Sequence, residues 1–397
     1  MKFYTVKNQV RGDRVVVADD MILTTEHPTS AGSRMLEGYV SLIGSEALGR
    51  LTASGYLLGG KAQVGEFAID LVGETSKDGA IYNDDKIVNA AACILLEDEA
   101  TVALTLDVNG SVRRAAAQSG LCSIKPTYGA VSRFGTVPVA CSGETVSLMA
   151  RSAEDCRNAL SVISGYDPKD GTSIPESMRA EKTAPVKRVA VISSFLRDVD
   201  AEVKSAITAA AAALTAAGVE VTTVDDSVIR ASRPAWNILM CAELCNNVSR
   251  YDGVRYGHRA ESFSGIDELY TNSRTEAFGD LLKSAVIYGS ETLSEDNYMK
   301  VYDKALRVRR VIVEAFAALF EEYDAVLLPA CSTMAYTEKM LSETPRLVFD
   351  ENLYTAPASI SGLPAAVAGG IQLMGPAFSE NVLLDTASII EKGGQKI

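Results

Sequence analysis

Residues 187–224 constrain the fold more than any other part of the chain. An apolar, β-branched run (KRVAVISSF, 187–195) leads into an alanine-rich helical stretch (AEVKSAITAAAAALTAA, 201–217) that stops at Gly218. A second β-rich run, VEVTTV, follows at 219–224. Strand, helix and strand in so short a span form a crossover unit, which favours parallel pairing in an α/β architecture. Farther along, Val301, Leu306, Val313, Phe316, Leu319 and Phe320 recur at helical spacing. They predict one long amphipathic helix over 299–323, with a buried strand after it at 325–331. The expected fold class is α/β, with a large, mixed and mostly parallel sheet flanked by helices. A polar connection around Pro168, Asp170 and Gly171 puts an internal sub-boundary near 166–185, inside a single unit spanning 1–397.

Composition removes several classes of function. With 397 residues, 47% of them hydrophobic, the chain has ample apolar surface for an extended core. Its formal net charge of −13 argues against a nonspecific phosphate-binding face, and no direct nucleic-acid binding is expected. No stretch of uncharged apolar residues is long enough to span a membrane. The opening MKFYTVKNQVRGDR has no signal-peptide core, so the cytoplasm is the expected compartment. Seven scattered cysteines read as reduced, buried hydrophobes, and Cys241 and Cys245 read as packing on one helix face. His27 and His258 are the only histidines, with no acidic or cysteine cluster at ligand spacing, so neither a metal nor a cofactor is expected. The dense motif SRYDGVRYG (249–257) reads as a salt-bridge network of Arg250, Asp252 and Arg255 beside Tyr256, fixing a turn.

From Thr101 to Gly129 the chain reads TVALTLDVNGSVRRAAAQSGLCSIKPTYG. A strand at 101–106 enters a tight turn, and Ser111 opens a helix ending near Gly120. The N–H groups of Val108, Asn109, Gly110 and Ser111 would converge on an anion at the helix start. Such a turn suits an exposed nucleophile beside an oxyanion hole, although Ser is also an ordinary helix cap.

The wider string D-x-x-G-S-x-R (107–113) followed by KPTYGAVSRFG (125–135) resembles the amidase signature family, and within it the A subunits of glutamine-dependent aspartyl/glutamyl-tRNA amidotransferases. Similar blocks run along the chain: SRMLEGYV (33–40), GKAQVGEFA (60–68), SGYDPKDGTS (164–173) and SGLPAA (361–366). The resemblance implies the family fold, shortened here at its N-terminus. It also implies an amide-cleaving serine at Ser111, activated through a second serine by a buried lysine. A hydroxyl is a poor nucleophile until a base takes its proton, and lysine serves only when desolvation holds it neutral.

Two of those three positions do not match. The lysine position falls on Asp19, and the chain has no lysine between Lys7 and Lys61. An ungapped count puts Ile87 at the relay serine, and no serine lies between Ser76 and Ser111. A carboxylate of ordinary pKa in place of a tuned lysine loses roughly 4–5 kcal/mol of driving force for proton transfer. The residues that the family uses to grip glutamine correspond to Ser284, Ala285 and Asn352, so both ionic partners are missing. The expectation is a catalytically impaired or non-catalytic relative. It would act by binding to B- and C-type amidotransferase subunits or to an active A-type one. The rival is a working amidase or glutaminase in which Asp19, Lys61 or Lys125 activates Ser111. A third expectation is a sensor that binds an anion at the turn 108–111.

Overall fold

The computed structural model describes residues 2–394. Fourteen strands occur among them: β1 (Tyr4–Lys7), β2 (Val15–Asp19), β3 (Leu57–Ala62), β4 (Tyr82–Asn83), β5 (Lys86–Ile87), β6 (Val102–Asp107), β7 (Cys122–Lys125), β8 (Thr145–Ala150), β9 (Arg188–Ile192), β10 (Glu220–Val224), β11 (Ala325–Pro329), β12 (Tyr336–Thr337), β13 (Ala365–Ala368) and β14 (Ile371–Met374). Eleven form one sheet in the order β1-β3-β2-β6-β8-β7-β13-β14-β11-β9-β10, and β12-β5-β4 form a small second sheet.

The crossover unit folds as its sequence predicts. β9 and β10 pair in parallel through the helix Ala201–Ala216, whose Val203, Ile207, Ala210 and Leu214 face inward at helical spacing. Asp200 starts that helix by accepting the N–H of Val203. The long helix forms at Asp303–Glu322, preceded by a short π-helical turn at Tyr298–Tyr302.

The large sheet is mixed, but antiparallel pairings outnumber parallel ones among the described residues. Parallel pairs occur at β2/β3, β2/β6, β9/β10 and β9/β11. The central strands β6, β8, β7, β13, β14 and β11 are antiparallel neighbours throughout. β13 and β14 show why, since Gly369 and Gly370, both at positive φ, close a two-residue hairpin that forces antiparallel pairing. Alternating strand and helix signals cannot reveal such pairing, which depends on turns rather than on strand composition.

Apolar clusters cover both faces of the sheet. The helix Leu347–Ser361 is buried along nearly its whole length, and with the helix Ser232–Val248 it backs the C-terminal end of β6. No helix among the described residues is long and apolar enough to cross a membrane. The 249–257 motif contains no ion-pair network: Arg250 bonds to Asn247, and Asp252 caps the N–H of Val254. A tight turn can be satisfied locally by main-chain groups, without a partner of opposite charge.

Candidate active site

Central strand β6 ends at Asp107, and the helix Ser111–Ser119 begins four residues later. Gly110 between them needs to be glycine on two counts. Its φ is 85°, and a Cβ there would lie 2.3 Å from Cβ of Thr355. The turn is clamped from behind. Arg113 donates to Asp107 through Nε (2.8 Å) and Nη2 (3.1 Å), and also to Thr355 O (2.8 Å), Gln372 Oε1 (3.2 Å) and Ser359 Oγ (3.0 Å). Burial pushes the Asp107 carboxyl up, but the Arg113 guanidinium overrides this and holds it below the usual range. Asn109 accepts from Trp236 Nε1 (3.0 Å) and donates to Ile69 O (2.8 Å), so a buried indole fills the volume behind the turn.

On its other side Ser111 borders a cavity of only about 20 Å³, room for one water molecule. Asp19, Gln63, Ala68, Asp70, Asn89 and Thr105 are among its walls. Among the described residues, the Ser111 hydroxyl has no hydrogen-bond partner. Asp19 ends β2 beside β6, and its carboxylate accepts Met21 N (2.9 Å) and Leu106 N (2.8 Å). Burial pushes its pKa up to about 7 against those two bonds, which removes the acid-strength objection raised by its sequence position. Asp70 is a wall residue that sequence reasoning misses. One of its oxygens accepts Thr75 N and Thr75 Oγ1, both at 2.9 Å, while Oδ1 is buried without a partner among the described residues. Burial, and then the nearby Glu74, push its pKa up to about 8. A single Asp at the edge of an apolar stretch (GEFAID) is a weak signal, and only the fold brings it to Ser111.

The remaining expected residues lie elsewhere. Lys61 is fully buried, but its ammonium is used up by Asp20 (2.8 Å), Pro28 O (3.0 Å) and Thr29 Oγ1. Lys125, which burial brings down to about 7, donates to Leu363 O (3.2 Å) and does not border the cavity. Ile87 sits in the β4–β5 hairpin, paired with Tyr336, and Asn89 rather than Ile87 reaches the cavity wall. The chain makes this hairpin before Asn89 caps the helix Ala90–Leu96. Ser284 is exposed on the helix Asp280–Thr292 and bonds to Asp280 O, while Ala285 is buried. Neither borders the cavity. Asn352 is fully buried, donating to Asn237 Oδ1 (2.7 Å), with its own Oδ1 unpartnered. It too is away from the cavity, because on the same helix it is Thr355 that meets the turn.

The expected anion-binding turn is also altered. Gly110 N–H is taken by Asp107 (3.0 Å), leaving at most three of the four N–H groups for an anion. The cavity in front carries two carboxyls, which oppose one. Among the described residues no group of three or more His, Cys, Asp or Glu side chains is arranged to hold a metal ion.

Comparison with known proteins agrees with this architecture. The family model described as Amidase matches residues 90–384. The A subunit of the Maridesulfovibrio salexigens glutamyl-tRNA(Gln) amidotransferase is 32% identical, over 95% of this chain and 83% of its own length. The Acinetobacter baumannii protein of the same name is 34% identical, over 92% and 79%. Among solved structures, the A subunit of the Thermotoga maritima glutamyl-tRNA(Gln) amidotransferase superposes with a TM-score of 0.79 at 24% identity, covering 98% of this chain and 87% of that one. A 6-aminohexanoate cyclic dimer hydrolase shares the fold with a TM-score of 0.79 at 19% identity, covering 96% and 84%. With a family model over most of its length and such identity to A subunits along nearly all of it, the chain belongs to the amidase family.

Proposed function

We propose that this chain is a non-hydrolytic relative of the amidotransferase A subunits and acts by binding, as one unit, to partners of the B- and C-type subunit class or to an active A-type one. The observation that carries this reading is the Ser111 hydroxyl itself. It has no hydrogen-bonded base, and the cavity before it has room for a water molecule but not for an amino-acid amide. Lys61, the first lysine after Asp19 in the chain, has all its donors engaged with Asp20, Pro28 and Thr29. The similarity to proteins named as amidotransferase A subunits supports the partner class.

The test is hydrolysis of glutamine and simple amides by the purified protein, alone and mixed with B- and C-type subunits, beside co-purification from the native cell. No turnover above that of Ser111→Ala, together with recovery of such a partner, is the expected result. Ser111-dependent turnover would sink the proposal.

One observation favours a second reading, a hydrolase with an unusual base. Asp19 shares the cavity with Ser111, and burial pushes its pKa to about 7, the range in which a general base works at neutral pH. That reading requires a rate that rises with pH through about 7 and vanishes in Asp19→Asn.

A further inference from the structure

The helices Ser232–Val248, Ile266–Ala277 and Asp280–Thr292 leave between them a groove of about 330 Å³. None of the residues that line it borders the Ser111 cavity. Val248 and Phe278, 2% and 7% exposed, form its floor with Val286, while Ile287, 71% exposed, stands at its lip.

The groove has a polarity. At one end Arg274 is fixed by donating from Nε to Tyr251 O (3.0 Å) and from Nη2 to Ser249 O (2.7 Å). Its Nη1 has no bond among the described residues, so part of its donor fork stays open. Lys283 reaches the same end, where its Nζ donates to Thr275 O (2.9 Å), in the residue next to Arg274. The other end is apolar. Cys245 lies four residues before Ser249 and Ile287 four residues after Lys283, one helical turn from the cations in each case. Both stand towards Gly289, which packs so closely that a Cβ there would lie 2.9 Å from Cβ of Cys245.

No carboxylate lines this groove. Arg274 has no carboxylate partner among the described residues, and the acid paired with Lys283, Asp280 at 3.8 Å, is itself fully exposed. On a chain with a formal net charge of −13, a basic end without acids is a local reversal of sign. Uncompensated cations at one end of an apolar trough are complementary to an amphipathic anion. The volume falls at the lower end of the range for small-molecule sites, about 300–1,000 Å³. An extended peptide would need partners for its main chain, and beyond the cations the lining offers only Ser249 and Thr275.

We propose that this groove binds a medium-chain aliphatic carboxylate, its head on Arg274 and Lys283 and its tail laid over Val248, Phe278 and Val286 towards Cys245 and Ile287. The site is separate from the Ser111 turn. It requires neither that amides be cleaved nor that a partner subunit be bound, so it stands or falls apart from the functional reading.

The test is calorimetric titration of the full chain with octanoate, beside octylamine and octanol, which carry the same tail on a positive and a neutral head. Octanoate should bind at one site, about tenfold or more tighter than either of the others. Ile287→Glu, a change at an exposed position that sets an acid at the lip, should abolish binding. Arg274→Gln should weaken it about tenfold, and Lys283→Gln serves in its place if loss of the Arg274 bonds prevents folding. Cys245 and Cys93 are both partly exposed, and only Cys245 lines the groove. Saturating octanoate should therefore slow alkylation of Cys245 by iodoacetamide, read by peptide mass mapping, and leave Cys93 unchanged. Equal affinity for the three heads, octanoate binding that survives Ile287→Glu, or Cys245 alkylation indifferent to octanoate would each overturn the proposal. So would an Ile287→Glu variant that releases a co-purifying protein while octanoate binds nowhere, since the groove would then be a protein-docking face.

Discussion

The two sides of the Ser111 turn treat buried charge in opposite ways. Behind it, each guanidinium nitrogen of Arg113 is bonded, Asp107 is held ionised, and Trp236, Asn109 and Thr355 close the remaining polar gaps. In front, two carboxyls with raised pKa and one unbonded hydroxyl share a space for one water molecule. The rear side fixes where the hydroxyl points. The front side decides what it can do, and no base is bonded to it there.

The comparison breaks first at Arg113. Arg113→Ala strands Asp107 as an unpaired buried charge and should cost about 3–5 kcal/mol, read by urea unfolding. If the loss were under about 1 kcal/mol, the rear clamp would not anchor the turn.

The front side should answer with the opposite sign. Asp70 has a folded pKa near 8, above its unfolded value, so its contribution to stability is complete below about pH 4 and is lost as pH rises through about 8. Asp19 adds a similar loss that ends near pH 7. Asp70→Asn should therefore be more stable than the parent by on the order of 2–4 kcal/mol at about pH 8.5, with little difference near pH 4. Urea titrations at the two pH values measure this, and a parent whose stability does not fall over that interval contradicts it.

Asn109→Ala tests the indole behind the turn. It leaves the Trp236 N–H and the Ile69 carbonyl without their bonds and should cost about 1–3 kcal/mol. The accompanying change in tryptophan fluorescence is specific, because Trp236 is the only tryptophan in the chain.

Ser111→Ala is the smallest change. A hydroxyl with no hydrogen-bond partner contributes little, so its loss should shift stability by less than about 0.5 kcal/mol. A larger penalty would reveal a bond that the geometry does not contain.

Much of this molecule is legible in the residues themselves. The crossover unit at 187–224, the long helix after residue 300 and the strand–turn–helix around Ser111 follow from local periodicity, caps and glycines, which act over a few residues. The absence of any lysine between Lys7 and Lys61, and of any serine between Ser76 and Ser111, is read directly from the residues. Counting along the chain fails where position depends on spatial neighbours. Ile87, Ser284, Ala285 and Asn352 are not among the cavity's walls: Ile87 pairs with Tyr336 in a hairpin, Ser284 is exposed and Ala285 buried on one helix, and Asn352 bonds to Asn237 within the core. Asp70 comes to the cavity by a loop that carries left-handed Phe67 and Ala68, a conformation that no propensity predicts for those residues. The sequence by itself determined the family and the α/β class. The tertiary structure alone decided the antiparallel bias of the sheet, the size of the cavity and the presence of Asp19 and Asp70 among its walls. Pairing, volume and electrostatic environment are sums over atoms distant in sequence, and they exist only once the chain has closed on itself.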